Sequence, residues 1–138
     1  MVYFIDSNIF LRLLIREDER VYQLCYSLLE AIKKGKLKAA TSNLVLAEIA
    51  WTLSSYYKFP KDKVIIALEG IVNLSNLSIV DKYQPLLGIL LYKGKSVKYI
   101  DAMIASNINL RNKSWKIISY DNDFDKLGVF REEPVLRY

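Results

Sequence analysis

The strongest constraint on this chain is the brevity and spacing of its β-favouring runs. Val2 to Ile5, Leu37 to Thr41, Leu77 to Val80 and Lys116 to Tyr120 are short, and segments with helical character separate each from the next. Val21 to Lys34 shows that character plainly, with apolar residues at Val21, Leu24, Cys25, Leu28, Leu29 and Ile32 before Gly35 stops it. Helices are likewise expected over Ile9 to Ile15, Leu44 to Tyr57, Pro60 to about Leu74, Tyr83 to Tyr92 and Lys98 to Leu110. Short strands alternating with helices predict an α/β fold built on a central, mainly parallel sheet flanked by helices. Pro134 to Tyr138 is expected to add an edge strand.

No linker, repeat or low-complexity stretch interrupts the pattern, so residues 1–138 read as a single domain. Composition then removes whole classes of chemistry. The chain has no His, which excludes a Ser-His-Asp triad, a Cys-His pair, paired-histidine ribonuclease chemistry and His-ligated zinc. Its one cysteine, Cys25, excludes an intrachain disulfide and a four-Cys metal site. The longest uncharged stretch, Gly70 to Val80, is far short of the ~20 residues that span a bilayer. The opening Met-Val-Tyr-Phe-Ile-Asp lacks a basic leader region, and a cytoplasmic protein is expected. Twenty Lys and Arg against fifteen Asp and Glu leave a net charge of +5, which suits a polyanionic partner such as nucleic acid.

Most of the acids sit in charged or turn-like surroundings. Four do not. Asp6 follows the first β run directly, which in an open parallel sheet is the carboxyl edge where ligands bind; a helix N-cap explains the same position. Asp121 stands one step beyond Lys116 to Tyr120, where an Asx-type turn through Asp121-Asn122-Asp123 is the plainer account. Glu48 has Leu44, Val45 and Trp51 as helical neighbours, so its carboxylate needs a partner or a route to water. Asp101 repeats that situation within Ile100-Asp101-Ala102-Met103-Ile104-Ala105, with Lys98 the nearest base. Four carboxylates drawn to one sheet edge would repel one another unless cations held them. Oxygen-only ligation favours hard ions such as Mg²⁺ or Mn²⁺ over zinc. An acidic metal pocket on a basic domain fits phosphodiester cleavage.

These residues also match a family pattern. Phe4-Ile5-Asp6-Ser7-Asn8-Ile9-Phe10 resembles the opening strand and acidic motif of PIN domains, the fold of VapC-type toxin ribonucleases. Asn43-Leu44-Val45-Leu46-Ala47-Glu48-Ile49 is similar to their second motif and Tyr99-Ile100-Asp101-Ala102-Met103-Ile104-Ala105 to their third. Ile117-Ile118-Ser119-Tyr120-Asp121-Asn122-Asp123-Phe124 resembles the fourth, with Ser119 where Thr is more usual. The resemblance covers essentially the whole chain. It implies a PIN-like domain and an endoribonuclease dependent on one or two Mg²⁺ or Mn²⁺ ions, with Asp6, Glu48, Asp101 and Asp121 as the catalytic carboxylates. The fourth ligand has two candidates: Asp121 is read as the ligand, with Asp123 as an accessory. Ser7 and Asn8 are expected to orient a ligand or a phosphate, and Ser119 to hold Asp6 or Asp101 from behind.

Arg12, Lys93, Lys95 and Lys98 are the candidate contacts to an RNA backbone, the last three because they lead towards Asp101. The resemblance further implies a homodimer and a small antitoxin partner that blocks the acidic groove. Two other readings remain on this evidence of residues alone: a housekeeping RNA-processing nuclease of the same fold, and a catalytically silent domain that binds RNA or protein. A phosphatase using Asp6 as nucleophile is disfavoured, because Asp6-Ser7-Asn8 lacks the second acid of an Asp-x-Asp motif.

Overall fold

The apolar run Val2–Ile5 forms β1 at the centre of a five-stranded sheet, in a computed structural model that describes residues 1–138. β2 (Lys38–Thr41) and β4 (Trp115–Ile118) pair with β1 on either side, β3 (Leu77–Ile79) lies outside β2, and β5 (Arg131–Glu132) lies outside β4. The order is β3-β2-β1-β4-β5 and every pairing is parallel. The chain therefore winds outward through β2 and β3, then crosses back over β1 to lay down β4 and β5. That reversal makes the gap between the carboxyl ends of β1 and β4 the switch point, where open parallel sheets bind ligands.

Eight helices connect the strands: α1 (Ser7–Leu14), α2 (Glu19–Lys33), α3 (Asn43–Ser55), α4 (Lys61–Val72), α5 (Pro85–Gly94), α6 (Tyr99–Ala105), α7 (Ile108–Arg111) and α8 (Asp123–Lys126). Their starts follow local chemistry. Asp6, Asp18 and Ser42 cap α1, α2 and α3, each side chain accepting from a backbone N–H of the first turn. Gly35 takes a left-handed φ of +74° just past α2, and its N–H and that of Lys36 return to Ile32 and Ala31 carbonyls. Phe4, Ile5, Ile117 and Ile118 of the two central strands are buried against Ile9, Leu28, Ile49, Leu53, Ile104 and Leu110 of the surrounding helices. Burying each such side chain contributes about 1.5–3 kcal/mol. No helix is long and apolar enough to cross a membrane.

Three expected elements need correction. The edge strand falls at Arg131–Glu132 and not at 134–138. Phe130 and Glu132 carbonyls accept from Ile117 and Ser119, after which the ladder stops short of Pro134, which has no N–H to offer. The helix expected over Lys98 to Leu110 is broken, because Asn107 leaves the helical region (φ −55°, ψ 131°) and its side chain caps a new helix by accepting from Asn109 and Leu110 N–H groups. β4 ends at Ile118, so Ser119 and Tyr120 lie past the strand, at the switch point.

Pro85 and Gly88 do not prevent α5. Pro85 occupies the first turn, where its missing N–H costs nothing. Gly88 is buried where α5 packs on α6; a Cβ there would lie 3.1 Å from Met103 Sδ and 3.4 Å from Met103 Cα. Gly88→Val should therefore push α5 off α6 and lower stability by about 1–3 kcal/mol in urea denaturation, the range for overpacking. An unchanged midpoint would mean that Met103 moves aside freely.

Candidate metal centre

Asp6 begins the site. Its backbone N–H continues the sheet by donating to Ile118 O (3.1 Å), and its side chain is buried in the gap that this pairing leaves. Oδ1 accepts from Ser7 N–H (2.8 Å), while Oδ2 accepts from Ser119 Oγ (2.6 Å) and Asn8 Nδ2 (3.1 Å). Asn8 also donates to Ser119 Oγ (3.0 Å) and accepts from Tyr120 N–H (3.1 Å). Ser119 Oγ in turn accepts from Asp121 N–H (2.9 Å). The end of β1 and the end of β4 are thus laced together around one carboxylate. Asp6 is the N-cap of α1 and at the same time lies at the carboxyl edge of the sheet.

Glu48 and Asp101 come from helices. Ser7 Oγ donates to Glu48 Oε1, so the residue after Asp6 steadies the acid on α3. Glu48 is largely covered, its side chain 18% exposed, although Trp51, one turn on, is 66% exposed. Asp101 is buried, and its Oδ2 has no hydrogen-bond donor. Lys98 brings the nearest positive charge, its Nζ 3.9 Å from Asp101 Oδ2 and 3.7 Å from Glu48 Oε2.

The two candidates for the fourth acid both arrive. A carboxylate oxygen from each of Asp101, Asp121 and Asp123 lies within 4.8 Å of the others. Asp121 accepts from the Asp123 N–H (2.9 Å), an Asx-turn geometry, and Asp123 pairs with Lys126 (3.0 Å). The turn reading and the clustering reading are therefore compatible.

Charge accounts for the titration of these groups. Burial pushes Asp6 up to about 6; hydrogen bonds from Ser119 and Ser7 pull against that, while the charges of Glu48 and Asp121 add to it. Burial likewise pushes Asp101 up to about 8, opposed by Lys98 and reinforced by Asp6 and Asp121. Lys98 loses some basicity to burial, but the charges of Asp101, Glu48, Asp121 and Asp6 more than reverse this and raise it. Crowded, partly desolvated acids with one orphaned buried oxygen constitute a site short of positive charge. Carboxylate donors without imidazole or thiolate fit a hard divalent cation such as Mg²⁺ or Mn²⁺. Cys25 contributes nothing here: it is buried, and burial raises its thiol to about 11.

The PIN domain family model matches residues 3–129. The chain belongs to the PIN domain family. Among curated proteins none matches the sequence significantly. Among solved structures, this PIN domain is similar to VapBC2 from Rickettsia felis bound to a DNA fragment from their promoter, with TM-score 0.71 and 21% identity over 98% of this chain and 100% of that one. It is similar to VapC20 of Mycobacterium tuberculosis, a sarcin-ricin loop cleaving toxin, with TM-score 0.63 and 18% identity over 96% and 99% of the two chains. DNA-bound VapBC from Salmonella typhimurium gives TM-score 0.66 and 13% identity over 96% and 98%. At these identities the likeness is one of fold.

The candidate phosphate contacts divide. Lys98 is in the carboxylate cluster. Arg12 is exposed on α1 with its guanidinium 5.8 Å from the Tyr120 ring centre, and Lys93 and Lys95 are exposed at the end of α5. Ser7, expected to orient a ligand, donates to Glu48. Sequence reasoning missed one support. Arg131, which donates to Ser119 O (3.0 Å) behind the site and pairs with Asp125 and Glu133, left no local signal at all.

The raised acids set a pH dependence. Both titrate above the ordinary carboxyl value of about 4, so the folded PIN domain holds protons that the unfolded chain has already released. Metal-free protein should lose stability as pH rises from about 4 to the value of about 8 assigned to Asp101. Asp101→Asn should match wild type near the acid end of that window and exceed it in stability at the alkaline end. Urea denaturation across pH in the presence of chelator checks this, and parallel curves for the two proteins would remove Asp101 as the source.

Proposed function

We propose that this PIN domain is a metal-dependent endoribonuclease and the toxin of a VapBC-type toxin–antitoxin pair, with residues 1–138 acting as one nuclease domain. The observation that carries the reading is Asp101 Oδ2: buried, without a donor, and grouped with Asp121 and Asp123 at the switch point of the sheet. Such an oxygen calls for a proton or a cation, and a divalent ion binding there would displace the proton.

Asp6, Glu48, Asp101 and Asp121 hold the metal in this reading, with Asp123 beside Asp121. These carboxylates would hold one or two Mg²⁺ or Mn²⁺ ions, which when bound would supply positive charge to make water more acidic and to offset charge on the phosphate. Ser119 and Asn8 keep Asp6 fixed by donating to its Oδ2, and Ser7 aims Glu48. Arg12, Lys93, Lys95 and Lys98 hold the RNA backbone around these acids by charge. With no His in the chain, no imidazole is present to shuttle protons, which favours hydrolysis to 5′-phosphate and 3′-hydroxyl ends.

The same fold likeness supports an antitoxin partner, since two of the similar structures are VapBC complexes. A small antitoxin protein is the proposed inhibitor. Exposed Leu86, Ile89 and Leu90 on α5 support a homodimer.

The deciding assay is cleavage of a structured RNA by purified protein with Mg²⁺, with Mn²⁺ and with chelator. Asp6→Asn should lower metal-dependent cleavage by more than about 100-fold, and Ser119→Ala by about 10–100-fold, the cost usual for a residue that orients a ligand. Near-wild-type cleavage by Asp6→Asn would remove Asp6 from the site. Cleavage in vitro without growth arrest on expression would favour a housekeeping RNA-processing nuclease, and neither cleavage nor metal binding would leave a silent binding domain.

A further inference from the structure

Lys98 differs from the other lysines in where its charge is held. It is the N-cap residue of α6, where an ammonium has no acceptor to offer the helix N–H groups. Instead its Nζ stands between acids of two different helices, 3.7 Å from Glu48 Oε2 on α3 and 3.9 Å from Asp101 Oδ2 on α6. Lys33 and Lys126 each pair with one acid of their own helix, and Lys116 with one acid of the adjoining strand. The Lys98 contacts are long. Neither is a hydrogen bond, and Asp101 Oδ2 remains without a donor. The lysine side chain is also 62% exposed, so its ammonium keeps much of its hydration.

We propose that Lys98 is a tethered cation that neutralises Glu48 and Asp101 before a divalent ion binds, and that the ion must displace its ammonium to occupy the site. This rests on the metal-centre reading above. Two positive charges cannot share the same pair of carboxylates at this range without strong mutual repulsion. The weaker and more flexible of the two leaves, and a four-carbon stem lets the ammonium move into water without disturbing α6. Lys98 thereby lowers the affinity for metal while preventing the carboxylates from driving the site apart. Once displaced, it is a free cation beside the acids, available to a phosphate of the backbone.

Calorimetric titration of Mn²⁺ into the full chain, without RNA and at low ionic strength, tests this on wild type, Lys98→Gln and Lys98→Arg. Lys98→Gln should bind Mn²⁺ about 10-fold more tightly, a coupling within the usual range between interacting ligands. Lys98→Arg keeps the charge and should stay within a few-fold of wild type. Added salt should narrow the gap, because an exposed charge is screened. Unchanged or weaker binding by Lys98→Gln, with wild type binding normally, would overturn the role assigned to Lys98. Absence of binding by wild type itself would instead overturn the metal centre, and this inference with it.

Discussion

The structure turns on how a buried carboxylate is accommodated between the ends of two parallel strands. Asp6 follows β1, Ser119 follows β4, and their 2.6 Å hydrogen bond closes the gap where the direction of winding reverses. Burying a carboxylate there is unfavourable unless its oxygens are satisfied. Ser7 N–H, Asn8 and Ser119 satisfy them, and the same groups then fix the loop after β4 through the Tyr120 and Asp121 N–H groups. The capping of α1, the register of β1 against β4 and the placement of Asp121 are consequences of one arrangement.

Around that arrangement the fold accumulates negative charge that it does not fully offset. Asp6 is supported by three donors, Glu48 by Ser7, and Asp121 by an Asx turn. Asp101 has only a lysine at 3.9 Å. The polar groups that support the acids are themselves fully used, so the remaining deficit falls on Asp101. A rigid scaffold with one unmet electrostatic requirement is how a protein prepares a place for a cation without a large rearrangement on binding. In the proposed reading the basic surface has a separate role, acting at longer range on a polyanion.

Much of this was legible because the signals were local. The β-favouring run before Asp6, the helical spacing of α2 and α3, and the strand before Ser119 each depend on neighbouring residues, and each element formed close to its expected place. Failures came where distant parts decided. Asn107 breaks a helix whose apolar residues continue beyond it, because its side chain serves the backbone better as a cap. β5 forms at Arg131–Glu132, a pair without β-favouring character, because the edge of β4 offers hydrogen bonds there. Trp51 is exposed although its helix is strongly apolar, since periodicity cannot tell how wide a face the rest of the molecule covers.

By itself the sequence determined the kind of chemistry open to this protein. Without His, and with a single buried thiol, its functional groups are carboxylates, hydroxyls and cations, and the order of its strands and helices placed Asp6 and Asp121 just past the carboxyl ends of two parallel strands. Only the tertiary structure decided how those acids are held. Ser7 meets Glu48 across 41 residues, Ser119 meets Asp6 across 113, and Lys98 spans α3 and α6. Those contacts arise from sheet order and helix packing, and a one-dimensional pattern does not encode the separation of side chains that fold together from opposite ends of a chain.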